Sequence, residues 1–211
     1  MCLHPFRLRN PGCRRNELSF DAKDLALTSV FAALYAALVI VQGQTAAATI
    51  QLRFADCLIP LCALFGWPAI LGVAVGAFAG NTFTSLPMAN GVIDVVLGPL
   101  ANLLAGVTVY LLRRRRLAGC VLASVEVGVI VGSYVWLIFG APLNVFGVEV
   151  PLMWPVWLAS VASITVSSLV AIAVVGYALL SVLSRQGVAG SLKARGLRTV
   201  DNVRSRLLHR G

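Results

Sequence analysis

Long apolar stretches alternate with short polar segments along the whole chain. Uncharged apolar runs cover residues 25–41, 67–86 and 154–183. Each run reaches or approaches the roughly 18–20 residues that a membrane-spanning helix needs. The pattern predicts an all-α integral membrane protein, located as a multi-pass protein in the cell membrane.

The number of spans depends on how the apolar block at residues 54–85 is divided. Basic residues mark the cytoplasmic ends of spans, and both the N-terminal segment and the run Arg113–Arg116 are basic. An even number of spans is therefore expected between them. Pro68 removes a helix hydrogen-bond donor and disfavours helix at the preceding residue. We therefore expect the block to divide at Gly66-Trp67-Pro68 into two short spans.

The resulting prediction is a six-transmembrane-helix bundle with cytoplasmic N- and C-termini. The membrane domain is expected at residues 23–184, between basic cytoplasmic tails at 1–22 and 185–211. The six spans are expected at about residues 24–41, 54–65, 68–84, 93–112, 117–139 and 154–183.

Composition and charge agree with this class of protein. Only 12% of the 211 residues are charged, whereas soluble domains average about 25%. Of the 17 basic residues, 16 flank predicted spans, where they face anionic lipid headgroups of the bilayer. The net charge of +9 is therefore assigned to membrane topology, and no nucleic-acid partner is expected. The spacing of Cys2, His4 and Cys13 matches no zinc pattern, so neither a metal nor a cofactor is predicted.

Ionisable residues within spans are costly and mark functional sites. Arg53 and Asp56 lie three positions apart on one helical face, which fits either a ligand site or a simple mutual ion pair. Asn81 fits a ligand-orienting group or an interhelical hydrogen bond. Asp94 fits a ligand acceptor or a charge at a helix N-terminus. Glu126 lies well within the fifth span and needs a partner there.

Most of these residues, together with Glu149, fall on the outer half of the predicted topology. The outer loops at 42–53, 85–92 and 140–153 are expected to cover a shared cavity. A carboxylate there suits a flat ring with a guanine-like edge, because that edge offers N–H and NH2 donors. The sequence has no phosphate-binding G-x-x-x-x-G-K-[ST] loop, so we predict a transporter subunit without its own ATPase site rather than an enzyme.

The first span carries two pairs of small residues at helical spacing, Ala32 with Ala36 and Ala33 with Ala37. Such pairs let another helix backbone approach closely. The pattern fits packing within the bundle and docking of a partner subunit equally well.

Three segments together resemble the QueT family, the substrate-binding components of energy-coupling factor (ECF) transporters for queuosine precursors. They are the segment IQLRFADCLIPL, the run Pro68…Gly72…Gly76…Gly80-Asn81, and Gly91-x-x-Asp94-x-x-x-Gly98 followed by Leu103-Leu104-Ala105. Departures are Asp56 where Glu is usual, Pro99-Leu100-Ala101-Asn102 in place of a Ser-x-x-Thr type segment, and the long basic N-terminal tail.

The resemblance implies a subunit that binds its substrate outside and works with a membrane coupling subunit and two ATPase subunits. It implies docking of the coupling subunit on Ala32, Ala33, Ala36 and Ala37. The implied ligand is a 7-deazaguanine: the 7-cyano or 7-aminomethyl compound, or the queuine base. We expect Arg53, Asp56, Asn81, Asp94, Glu126 and Glu149 to bind it. Alternatives are another vitamin or purine as ligand, or a stand-alone secondary transporter or structural membrane protein, the transporter using Glu126 in proton coupling.

Overall fold

The computed structural model describes residues 21–42, 53–140, 144–145, 148–149 and 155–185. The elements are α1 (Ala22–Gln42), a 3-10 helix (Phe54–Leu61) that continues into α2 (Cys62–Phe65), α3 (Trp67–Thr84), α4 (Gly91–Leu111), α5 (Arg116–Phe139), β1 (Asn144–Val145), β2 (Val148–Glu149), α6 (Val156–Ser168), a π-helix (Leu169–Gly176) and α7 (Tyr177–Leu183). The prediction of a helical fold is confirmed. The one addition in the described residues is the small antiparallel hairpin β1–β2, which lies within the predicted loop at 140–153.

Four helices in the described residues are long and apolar enough to cross a membrane. They are Ala22–Gln42, Gly91–Leu111, Arg116–Ile138 and Val156–Leu183. The apolar helix Phe54–Phe65 is shorter, and α3, with 18 residues, is not among the four. The predicted basic tails lie almost entirely outside the described residues, as does most of the predicted loop at 42–53.

The predicted break between α2 and α3 is present. Gly66 adopts φ 70° and ψ −142°, in the left-handed region that favours glycine. The next helix starts directly at Trp67, with Pro68 in its first turn. Proline is tolerated there because the first turn of a helix leaves its N–H groups unpaired anyway. The turn at Gly66 therefore reverses the chain within one residue.

Helices α1 and α3 pack closely and run in the same direction. A methyl group placed on Gly72 would lie 2.5 Å from Phe31 Cβ, and one placed on Gly76 would lie 2.6 Å from the carbonyl oxygen of Ala32. Only glycine permits this approach. Later residues of α3 contact later residues of α1, so the two helices are parallel. The segment that connects them in the chain, the 3-10 helix with α2, must therefore run in the opposite direction.

The later helices alternate in direction. Helix α5 runs antiparallel to α4, because Asp94 contacts Tyr134 while Thr108 contacts Glu126. The start of α1, the turn at Gly66 and the turn at residues 112–115 therefore lie at one end of the bundle, which we call the arginine end. The ends of α1, α3 and α5 and the start of the 3-10 helix lie at the opposite end.

The 3-10 helix packs against the π-helix. Gly176 of the π-helix allows the approach, since a methyl group there would lie 2.7 Å from both the carbonyl oxygen of Cys57 and Cγ of Pro60. A 3-10 helix rises about 2.0 Å per residue, against about 1.5 Å for an α-helix. Residues 54–65 therefore extend about 22 Å instead of about 18 Å, so the short segment reaches further across the bundle than a regular helix would.

Candidate functional site

Buried polar side chains form a cluster from the middle of the bundle to the end opposite the arginine end. The most exposed side chain of the cluster is that of Arg53, at 17%. They come from α1, the 3-10 helix and its N-cap, α3, α4, α5 and the turn after α3. The members are Tyr35, Arg53, Asp56, Asn81, Ser85, Asp94, Asn102 and Tyr134.

One half of the cluster, the Asp56 group, joins four side chains in a row. Arg53 Nε lies 3.4 Å from Asp56 Oδ2, so the two side chains form the ion pair that was one of the two interpretations of their spacing. The hydroxyl of Tyr35 donates to Asp56 Oδ1 at 2.5 Å. Asn102 Nδ2 in turn donates to the Tyr35 oxygen at 2.6 Å. The group thus connects α1, the 3-10 helix and α4.

The other half, the Asp94 group, ties α3, α4 and α5 together. The hydroxyl of Ser85 donates to Asp94 Oδ2 at 2.6 Å, and that of Tyr134 donates to Asp94 Oδ1 at 2.8 Å. Asn81 Nδ2 donates to the backbone carbonyl of Asp94 at 3.0 Å. Each oxygen of this carboxylate therefore has a protein donor, and Asn81 makes the interhelical hydrogen bond that was one of its two predicted roles.

A glycine makes the Asp94 group possible. A methyl group on Gly98 would overlap with Asn81 Nδ2 and lie 3.2 Å from Asp94 Oδ1. The absence of a side chain one turn after Asp94 leaves the space into which the Asn81 amide extends from α3. The spacing Gly91-x-x-Asp94-x-x-x-Gly98 therefore has a direct steric reason at its last position.

The two groups act on one another electrostatically. The charge of Arg53 interacts with both Asp56 and Asp94, and the two carboxylates repel each other. One guanidinium and two carboxylates give the cluster one excess negative charge when all three are ionised. Within the described residues, no three His, Cys, Asp or Glu side chains come together as metal ligands. The excess negative charge of the cluster favours groups that donate hydrogen bonds.

Glu126 lies apart from Asp94. Its Oε1 accepts a hydrogen bond from Thr108 at 2.9 Å, and its buried Oε2 has no hydrogen-bond partner among the described residues. Thr108 follows Asp94 by 14 positions on the same helix, which corresponds to about 21 Å. One bicyclic ring cannot contact both carboxylates. Glu149 lies in β2, opposite Asn144, and its predicted contact with a ligand stays a prediction.

The four alanines of α1 divide between two surroundings. Ala32 faces α3, where its backbone would collide with any side chain at Gly76, and Ala36 is partly buried. Ala33 and Ala37 are exposed. Ala32 thus packs against α3, the second pair faces outward, and docking of a partner subunit on these alanines stays a prediction.

Sequence reasoning missed half of the cluster, namely Tyr35, Ser85, Asn102 and Tyr134. The available signal was weak: a tyrosine buried within an apolar helix needs a partner for its hydroxyl group. Since the partners lie 21 and 40 positions away in sequence, only the tertiary structure identifies them.

Comparison with known proteins supplies a family. The model of the QueT transporter family matches residues 25–185 of this chain. No curated protein and no solved structure matches this chain. The match covers every helix described above except the first three residues of α1, so it includes the whole buried cluster. This chain belongs to the QueT transporter family.

Proposed function

We propose that this chain is the substrate-binding component of an ECF-type, ATP-driven importer that takes up a queuosine or archaeosine precursor. The family assignment makes it a transporter rather than an enzyme. The observation that carries the finer proposal is the buried cluster around Asp56 and Asp94, which concentrates charge where a bundle stabilised by packing alone needs none.

Six membrane crossings follow if residues 54–65 and α3 each cross as well as the four long helices. The parallel packing of α1 and α3 supports this count, because the chain between them has to return. Apart from Arg53, the basic residues of the described segments lie at the arginine end, and they are Lys23, Arg113, Arg114, Arg115, Arg116 and Arg185. Placing that end in the cytoplasm satisfies the preference of basic residues for the inner side. The cluster then lies in the outer part of the bundle, on the side where a substrate arrives.

A 7-deazaguanine suits the cluster chemically. Its ring presents a carbonyl oxygen, a ring N–H and an exocyclic amine along one edge. Carboxylates accept hydrogen bonds from such N–H groups, and charge-assisted bonds of this kind are about twice as strong as neutral ones. Asp56 has an oxygen without a hydrogen-bond donor in the described part of the chain, whereas both oxygens of Asp94 are occupied. Asp56 is thus the first choice for the ligand's N–H.

The test is uptake by proteoliposomes. Vesicles that contain this chain, the coupling subunit and both ATPase subunits should accumulate radiolabelled 7-aminomethyl-7-deazaguanine only when ATP is supplied. Vesicles with this chain alone should accumulate none. Uptake by the chain alone, driven by an ion gradient, would instead establish the stand-alone secondary transporter.

The coupling subunit is proposed to dock on the outward pair of alanines. Introducing Ala33→Trp and Ala37→Trp together fills that face of α1 without touching α3. ATP-driven uptake should then be lost while ligand affinity is kept. Val129→Trp is the matched control, because Val129 is 52% exposed on α5, and it should leave both properties unchanged. Full uptake by the double variant would show that this face is not the docking site.

A further inference from the structure

The hydrogen bonds of Tyr35 determine how the Asn102 amide is oriented. A tyrosine hydroxyl has one proton, and here it goes to Asp56 Oδ1 at 2.5 Å. The Tyr35 oxygen is then an acceptor for its other neighbour, so Asn102 must present its NH2 group, at 2.6 Å. The amide oxygen of Asn102 consequently points away from Tyr35.

This arrangement leaves two buried acceptors without a donor. Asn102 Oδ1 and Asp56 Oδ2 receive no hydrogen bond from any described residue, and both residues are fully buried, at 0% exposure. Asp56 Oδ2 has only its ion pair with Arg53, at 3.4 Å, among these residues. Folded proteins seldom leave buried polar atoms unpaired. The Tyr35 oxygen touches both groups, so each unpaired oxygen lies within about 5 Å of it. The two oxygens therefore lie at most about 10 Å apart, a span that one bicyclic ligand with a hydrogen bond at each end can cover.

The order of groups matches one particular ligand edge. The row runs from a donor, the Arg53 guanidinium, past the acceptor Asp56 Oδ2 and the Tyr35 hydroxyl to the acceptor Asn102 Oδ1. A 2-amino-4-oxopyrimidine edge presents the complementary order: a carbonyl oxygen, a ring N–H and an exocyclic NH2. We infer that Asn102 is a specificity-determining residue that accepts a hydrogen bond from the exocyclic amine, while Asp56 accepts from the ring N–H and Arg53 donates to the carbonyl oxygen.

Tyr35 is then a positioning residue, since the hydrogen bonds of its hydroxyl to Asp56 and Asn102 hold both acceptors in place. The inference rests on the proposed function and adds the part of the ligand that is recognised. Ligands of the same shape that lack the exocyclic amine, such as 7-deazahypoxanthine, leave Asn102 Oδ1 unpaired. They are bound more weakly for that reason.

The experiment measures dissociation constants of 7-deazaguanine and 7-deazahypoxanthine, for the purified full chain and for Asn102→Leu. The wild type should prefer 7-deazaguanine by roughly 10- to 100-fold. Asn102→Leu should weaken 7-deazaguanine by that factor and change 7-deazahypoxanthine by less than about threefold, so that the preference disappears. Tyr177→Phe, which changes a hydroxyl without a hydrogen bond to the described residues, is the control and should keep the preference.

Three results overturn the inference. The first is equal affinity of the wild type for both ligands. The second is a preference that survives in Asn102→Leu, whether both ligands weaken together or neither changes. If Asn102→Leu does not fold, the smaller Asn102→Ala is measured in its place by the same criterion. The third is a wild type that binds neither ligand, and this result alone also removes the proposed 7-deazaguanine ligand.

Discussion

Tyr35→Phe is the sharpest probe of the buried cluster, because it removes one oxygen atom and keeps the ring. That oxygen is the only link between Asp56 and Asn102 in the described structure. Phenylalanine fills the same space on α1, so packing against α3 is retained. The substitution therefore measures the contribution of two hydrogen bonds made by a fully buried side chain.

The magnitude follows from the two bonds. Hydrogen bonds between helices within membranes average about 0.6 kcal/mol and reach about 1.7 kcal/mol. Bonds to charged groups in proteins contribute about 1.5–3 kcal/mol. We assign the average of about 0.6 kcal/mol to the Asn102 bond. The Asp56 bond is assigned about 1.6 kcal/mol, where the two ranges overlap. Together they give a loss of about 2 kcal/mol in the free energy of unfolding.

The assay is reversible unfolding in detergent micelles titrated with a denaturing detergent. Two further tyrosines provide a graded comparison. Tyr134→Phe removes one hydrogen bond to a carboxylate, that of Asp94 Oδ1, and should cost about three-quarters as much as Tyr35→Phe, or about 1.6 kcal/mol. Tyr177→Phe removes none within the described residues and should change the free energy of unfolding by less than about 0.5 kcal/mol. If Tyr35→Phe and Tyr177→Phe proved equally stable, the hydrogen-bonded row through Tyr35 would be refuted.

Two other variants test the geometry. Gly98→Ala should lower the free energy of unfolding by about 1–3 kcal/mol, because its methyl group overlaps with Asn81 Nδ2. Gly106→Ala should lower it by less, because its methyl group meets no atom closer than 3.3 Å. A larger loss in Gly106→Ala than in Gly98→Ala would contradict the packing described for α4. Glu126→Gln should change ligand affinity by less than about threefold, whereas Asp56→Asn should weaken it by roughly 10-fold or more. Loss of binding in Glu126→Gln would place the ligand deeper in the bundle than we propose.

Local spacing and chain-breaking residues were sufficient to predict part of the structure. The turn at Gly66 was predicted because Pro68 acts on its immediate neighbours. The contact between Arg53 and Asp56 was expected because positions three apart share a helical face, with an ion pair as one of its two interpretations. Both predictions depend on residues close in sequence, where the geometry of the backbone alone decides which groups meet.

Other features depend on packing between distant segments. The apolar sequence at 54–61 fits an α-helix and a 3-10 helix alike, and the close contact of Pro60 with Gly176 was not visible in it. The two alanine pairs of α1 have identical spacing and differ by one position along the helix. The rotation of α1 about its own axis decides which pair faces α3. The sequence grouped Glu126 with Asp94, whereas the antiparallel packing of α4 and α5 places it beside Thr108, and its contact with a ligand stays a prediction.

Equilibrium binding to the purified wild-type chain tests the proposed function most directly. Radiolabelled 7-aminomethyl-7-deazaguanine should bind saturably, with one ligand per chain, and unlabelled 7-cyano-7-deazaguanine should displace it while adenine should not. The absence of saturable binding by any 7-deazaguanine would contradict the assignment of this buried cluster as a queuosine-precursor site.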